Sequence, residues 1–116
     1  MAIRIIKDRI SRKELREIAD ERFGDLVKAA IDIRQEIIAL GAELHADAQV
    51  ELIEKEESST EDIWGINLYP AEKDDALVEF DSMINLKPAF GNRTRGVDDE
   101  STRGKIREIV NRIVTD

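Results

Sequence analysis

The sequence predicts an α+β fold: a single small domain with a mainly antiparallel sheet and three helices, in the order β-α-β-β-α-β-β-α. Three observations carry that prediction. A capped amphipathic segment at 11–23 leads into two short β-branched apolar runs, an alternating pair at 63–69 and 77–86 flanks a polar turn, and an amphipathic stretch ends the chain. The helices are expected to lie against one face of the sheet.

Residues 3–7 (IRIIK) are short and β-branched and read as an edge strand. Ser11 and Glu14 have capping-box spacing, with Ile10 and Leu15 at the staple positions around them. Leu15, Ile18, Ala19 and Phe23 make the apolar stripe of that helix, and Gly24 is placed to close it in a left-handed cap. Residues 26–41 support two readings. With period 2, Val27, Ala29, Ile31 and Ile33 share a face and Ile37 to Leu40 form a second strand. With period 3.6, Leu26, Ala29, Ala30, Ile33, Ile37 and Leu40 make a helical stripe. The density of β-branched residues and the terminal Gly41 favour the hairpin.

Asp47 is placed to cap a short helix over about 48–56, with an extended reading of VELIE as the rival. In the pair that follows, Trp64, Ile66 and Leu68 face the core from one strand, and Phe80, Ile84 and Leu86 from the other. Asp98 or Asp99 caps the last helix, whose stripe is Ile106, Ile109, Val110 and Ile113. Gly104 weakens that helix, which suggests a close backbone approach there.

Charged residues make up 38% of the chain, well above the globular norm, so the surface is densely charged. Cysteine is absent, which excludes disulfides and thiolate chemistry. No stretch approaches the ~20 apolar residues of a membrane span, and the N-terminus lacks a signal-peptide core. The expected setting is the cytoplasm of a prokaryote, with no membrane partner. The net charge of −8 is uneven: residues 43–86 hold thirteen acidic and two basic residues. That segment would repel a phosphate backbone, so no nucleic-acid partner is expected.

The loop Pro88 to Val97 joins the end of a predicted strand to a helix start and carries Arg93 and Arg95. Forked guanidinium donors beside free helix N–H groups suit a phosphate or carboxylate. Against that, Asp98, Asp99 and Glu100 already stand at the helix start and can pair with the arginines. Asn67, Tyr69, Asp81, Asn85 and Lys87 would share the polar face of the 63–86 pair, as a ligand floor or simply a solvated face. His45 is the only histidine. In an extended segment it would project beside Glu43 and Asp47 as a metal ligand, although Asp47 has a rival role as a cap and a lone histidine more often hydrogen-bonds a carbonyl. Its near-neutral titration also suits acid–base work, with Asp81 as a partner. No motif calls for a cofactor, and no nucleophile elbow or Ser-His-Asp order is present.

The strings ADERFGDLVKAAIDI, GAELHADAQ, DIWGINLYP, FDSMINLKP and GNRTRGVDD together resemble a group of short prokaryotic proteins catalogued only as a domain of unknown function. The resemblance spans about residues 3–114 and is most specific in WGINLYP and FDSMIN…GNRTRGV. It implies a stand-alone cytoplasmic domain and transfers no catalytic residue.

Three functional readings follow. The first is binding of a small anionic ligand by Asn67, Asn85, Lys87, Arg93 and Arg95. The second is a small hydrolase or transferase acting on a phosphorylated substrate through His45 and Asp81. The third is an interaction or homodimerisation module that uses the 3–7 edge strand or the last helix.

Overall fold

A computed structural model describes residues 3–116. Residues 26–41 form the hairpin, strands β3 (Val27–Asp32) and β4 (Ile37–Leu40), with Ala30 opposite Ala39 and Ile31 opposite Ile38. Its turn is wrapped around the fully buried Asp32 carboxylate. The backbone N–H groups of Arg34 (2.8 Å) and Gln35 (3.0 Å) donate to it, as do the Gln35 amide (2.9 Å) and the Ser58 hydroxyl (2.6 Å). Burial pushes this carboxyl up, but the hydrogen bonds outweigh it and hold it below the usual value. A helix through Arg34-Gln35-Glu36 would leave Asp32 without these donors, and the hairpin supplies them.

The other elements are β1 (Arg4–Ile6), β2 (Ile10–Ser11), α1 (Arg12–Glu21), α2 (His45–Glu56), β5 (Ile63–Leu68), β6 (Val78–Glu79), α3 (Glu100–Ile113) and β7 (Val114–Thr115). Five strands form an antiparallel sheet in the order β1-β4-β3-β5-β6, so β1 is an edge strand as expected. β2 and β7 form a separate two-residue parallel pair. The helices do not share one face of the sheet. Val27, Ala29, Ile31, Trp64, Ile66 and Leu68 pack with the stripes of α1 and α3, whereas Ala30, Ile37, Ala39 and Ile63 lie under Ala48 and Leu52 of α2. Strands covered on both faces read as nearly continuous apolar runs, which is what β3 and β4 show.

Ser11 caps α1 by accepting from the Glu14 N–H at 3.0 Å, and Gly24 (φ +89°) follows the helix end. Phe23 lies beyond that end and is 40% exposed, with the Lys28 ammonium 4.9 Å over its ring, so it does not extend the buried stripe. Helix α2 begins at His45, three residues before the expected start. Its cap position is Leu44, which offers no side-chain bond, and Asp47 stands in the first turn.

The expected strand 77–86 stops at Glu79. Residues 83–85 and 88–90 are 3₁₀ turns instead, and Ser82 caps the first of them. This segment presses on β5 at Gly65, where an added Cβ would stand 2.4 Å from Ser82 Oγ and 2.9 Å from Ile84 Cγ1. Gly104, in contrast, has nothing within 4 Å of an added Cβ, so no close approach explains it.

The two glycines give opposite predictions. Gly65→Ala should destabilise the protein by about 1–3 kcal/mol through overpacking. Gly104→Ala should stabilise it by about 0.5–1 kcal/mol through helix propensity. Urea unfolding midpoints at unchanged slope will show both signs.

Candidate functional site

The loop from Phe80 to Asp98 is organised by two buried asparagines. Asn85 turns its side-chain amide onto the β5 backbone: Gly65 N–H donates to Oδ1 (2.8 Å), and Nδ2 donates to Gly65 O (3.0 Å) and Arg95 O (2.8 Å). Asn92 donates to the carbonyls of Asn85 (2.7 Å) and Gly96 (2.8 Å), and its Oδ1 accepts from the Asp98 N–H (2.8 Å). The Asn85 amide is therefore engaged on the chain itself rather than facing a ligand.

Lys87 is engaged in the same way. Its ammonium donates to the carbonyls of Ile63 (2.6 Å), Thr60 (2.8 Å) and Glu61 (3.3 Å), and it stands 3.8 Å over the Trp64 ring. Burial draws its pKa down to about 8, with Asp62 and Glu61 acting in the opposite direction. Arg93 is exposed, and its backbone N–H donates to Asp98. At the start of α3, the Asp99 carboxylate accepts from the Thr102 N–H (2.9 Å) and hydroxyl (2.8 Å), so the helix end is capped by its own chain.

The remaining candidates meet elsewhere, in a cleft of about 330 Å³ between the start of α2, the sheet and the 80–98 loop. Its lining includes Lys28, His45, Asn67, Asp81 and Arg95. Strand register builds the floor: Lys28 of β3 is opposite Asn67 of β5, and Asn67 is opposite Glu79 of β6. Arg95 Nε lies 2.8 Å from Asp81 Oδ1 across the loop, with both side chains about half exposed. The Leu44 cap leaves the N–H groups of His45 and Ala46 without hydrogen-bond partners among the described residues.

His45 is held by one edge of its ring. Nε2 lies 3.0 Å from Ile66 O and 2.9 Å from Asn67 Oδ1. The Asn67 Nδ2 donates to Glu79 Oε1 (2.9 Å), which fixes its carbonyl end toward the histidine. The Tyr69 hydroxyl donates to the same Glu79 oxygen (2.9 Å). Burial, that hydrogen bond and the Glu79 charge push the Tyr69 phenol up to about 12. Both neighbours of Nε2 are acceptors, so Nε2 carries the ring proton and Nδ1 holds the lone pair. Nδ1 has no hydrogen-bond partner among the described residues. Burial lowers the pKa of His45, and Lys28 adds to that, against the raising effect of the two hydrogen bonds and Asp81.

His45, Asn67, Asp81 and Arg95 thus come together, while Asn85, Lys87 and Arg93 do not join them. Because α2 starts at His45, the alternation that would align Glu43, His45 and Asp47 is lost. Among the described residues no group of three or more His, Asp or Glu side chains could hold a metal ion. Sequence reasoning missed Lys28, whose signal was a cation interrupting the apolar run 26–31, and Glu79, whose role depends on strand pairing.

The chain belongs to the family described as "Protein of unknown function (DUF5674)", whose model matches residues 4–113. No curated protein and no solved structure matches it.

Two substitutions separate the scaffold from the surface. Asn85→Ala strands buried backbone groups of Gly65 and should cost more than about 2 kcal/mol in chemical denaturation. Arg93→Ala should stay within about 0.5 kcal/mol of the parent.

Proposed function

We propose that the cleft binds a small anionic ligand bearing a phosphate or carboxylate. The observation that carries this reading is that Lys28 and Arg95, brought from distant parts of the chain, line one concavity with the uncapped first turn of α2. Two side-chain cations and the uncapped N–H groups of a helix start around one cleft are complementary to a single compact anion. The volume is at the small end of ligand pockets, which suits a few-atom ligand. Asp81 does not oppose the reading. A half-exposed Arg–carboxylate pair is worth only about 0.2–1 kcal/mol, so an anionic ligand can replace Asp81 on Arg95 at little cost.

A second reading is favoured by one observation: His45 and Asp81 line this same cleft. A hydrolase or transferase acting on a phosphorylated substrate would use the two as its acid–base groups. Release of inorganic phosphate from phosphomonoesters, absent in His45→Gln, would select it over binding alone.

Titration with phosphate, pyrophosphate and simple carboxylates, followed by thermal shift and calorimetry, tests the binding reading. At a ligand concentration about a hundred times Kd the protein should gain about 2.7 kcal/mol. Lys28→Ala and Arg95→Ala should each remove most of that gain, and Arg93→Ala should leave it. A gain that survives the loss of Lys28 and Arg95, or that needs Arg93 instead, would move the site out of the cleft.

A further inference from the structure

We infer that the ligand of this cleft carries a hydroxyl beside its anionic group, and that Nδ1 of His45 accepts the hydrogen bond from that hydroxyl. The inference deepens the anion-binding reading and rests on it. It is carried by the ring's surroundings. Two acceptors, Ile66 O and Asn67 Oδ1, lie within 3.0 Å of Nε2 and require a proton there, so an uncharged ring presents Nδ1 as an acceptor only. Asn67 cannot swap its amide ends to reverse this, because its Nδ2 is held by Glu79 at 2.9 Å. A site meant for a bare anion would gain from a donor at this position. It holds instead a lone pair that repels oxyanions and that a donor on the ligand, such as a hydroxyl, would satisfy.

The charged groups around the ring come from every packed element: Lys28 from β3, Glu79 from β6 through the Asn67 amide, and Asp81 and Arg95 from the 80–98 loop. Lys28 and Arg95 disfavour an ammonium as the donor and favour a neutral one, of which a hydroxyl is the simplest. The chemistry is shared by 2-hydroxycarboxylates and by phosphorylated polyols.

The sign of the pH dependence separates this ligand class from a bare anion. A ligand hydroxyl that donates to Nδ1 binds the neutral ring, so affinity holds above the His45 pKa and falls as pH drops through it. That pKa is itself below the ordinary histidine value. A bare anion would show the reverse, gaining affinity as the imidazolium forms.

The experiment compares matched pairs by calorimetry or NMR titration of the intact protein: lactate against propionate and glycolate against acetate, from about pH 8 down to about pH 5.5, where all four remain ionised. A phosphate arm compares glycerol 3-phosphate with propyl phosphate at about pH 8. The hydroxylated member of at least one pair should bind about tenfold tighter at the upper pH, the worth of one hydrogen bond. That preference should hold or shrink on acidification, as far as the ring charges, and vanish in His45→Gln. Which pair shows it assigns the source as carboxylate or phosphate.

Equal affinities within every pair, while binding still depends on Lys28 and Arg95, would overturn the hydroxyl inference and leave the anion reading intact. A preference that persists in His45→Gln, or one that grows on acidification, would also overturn it. No binding of any of the six would overturn both readings. If His45→Gln does not fold, as judged by circular dichroism, the pH course of the parent protein decides.

Discussion

One side-chain amide stands where a strand was expected, and much of the surrounding chain depends on it. A sheet edge must find partners for its outward N–H and C=O groups, normally from a neighbouring backbone. Opposite Gly65 the partner is the Asn85 side chain, whose amide presents the same donor and acceptor as a peptide group, at 3.0 and 2.8 Å. β6 can therefore stop after Glu79 without leaving Gly65 unsatisfied, a fault that would cost about 1–3 kcal/mol per buried group. The substitution requires Asn85 to approach the β5 backbone closely. It does so because Gly65 has no Cβ and because Ser82 and Ile84 fill that space.

The same amide positions the cleft. Asn85 Nδ2 and the Ser82 N–H both donate to the Arg95 carbonyl, at 2.8 and 2.9 Å. Two donors on one carbonyl fix where the Arg95 side chain leaves the loop, and it leaves toward Asp81. Asn92 fixes the other side of the loop by holding the Asn85 and Gly96 carbonyls, and Lys87 anchors it to the chain entering β5. Scaffold and site residues therefore alternate along one segment. Asp81 and Arg95 reach the cleft because Ser82, Asn85 and Asn92 are buried.

That alternation explains what could be read from the sequence. Capping at Ser11, the hairpin of β3 and β4 and the stripe of α3 are local signals, set by residues within four positions of one another or by simple periodicity. The role of Asn85 is not local. Its partner is twenty residues away, and the alternating pattern of FDSMINLK describes a strand equally well. The asparagines at 67 and 85 have polar duties, but one orients a histidine and the other replaces a backbone. Lys87 reads as a cation on a polar strand face until Trp64 and three carbonyls are placed around it. His45 reads as extended because Asp47 is the stronger cap by sequence. The helix instead starts at His45 with Leu44 at the cap, and Asp47 falls in its first turn, where a carboxylate favours the helix start without capping it.

The charge distribution gives the cleft its character. The chain is acidic overall, and its middle segment strongly so, yet that segment supplies His45, Asn67 and Asp81 to the cleft. Both lining cations come from outside it: Lys28 by the register of β3 against β5, and Arg95 by the fold of the 80–98 loop. A polyanion approaching this surface meets a repulsive field over most of its length, because potentials sum over many charges. A compact monoanion or dianion feels chiefly the charges within reach, Lys28, Arg95 and the Asp81 carboxylate that an anion would displace from Arg95, since beyond about 8–10 Å the remaining charges are screened at physiological salt. On the proposed anion-binding reading, the fold would discriminate by size as well as by sign. The seam where sheet register and an asparagine-built loop bring Lys28 and Arg95 together would then take a small anion and not an extended phosphate chain.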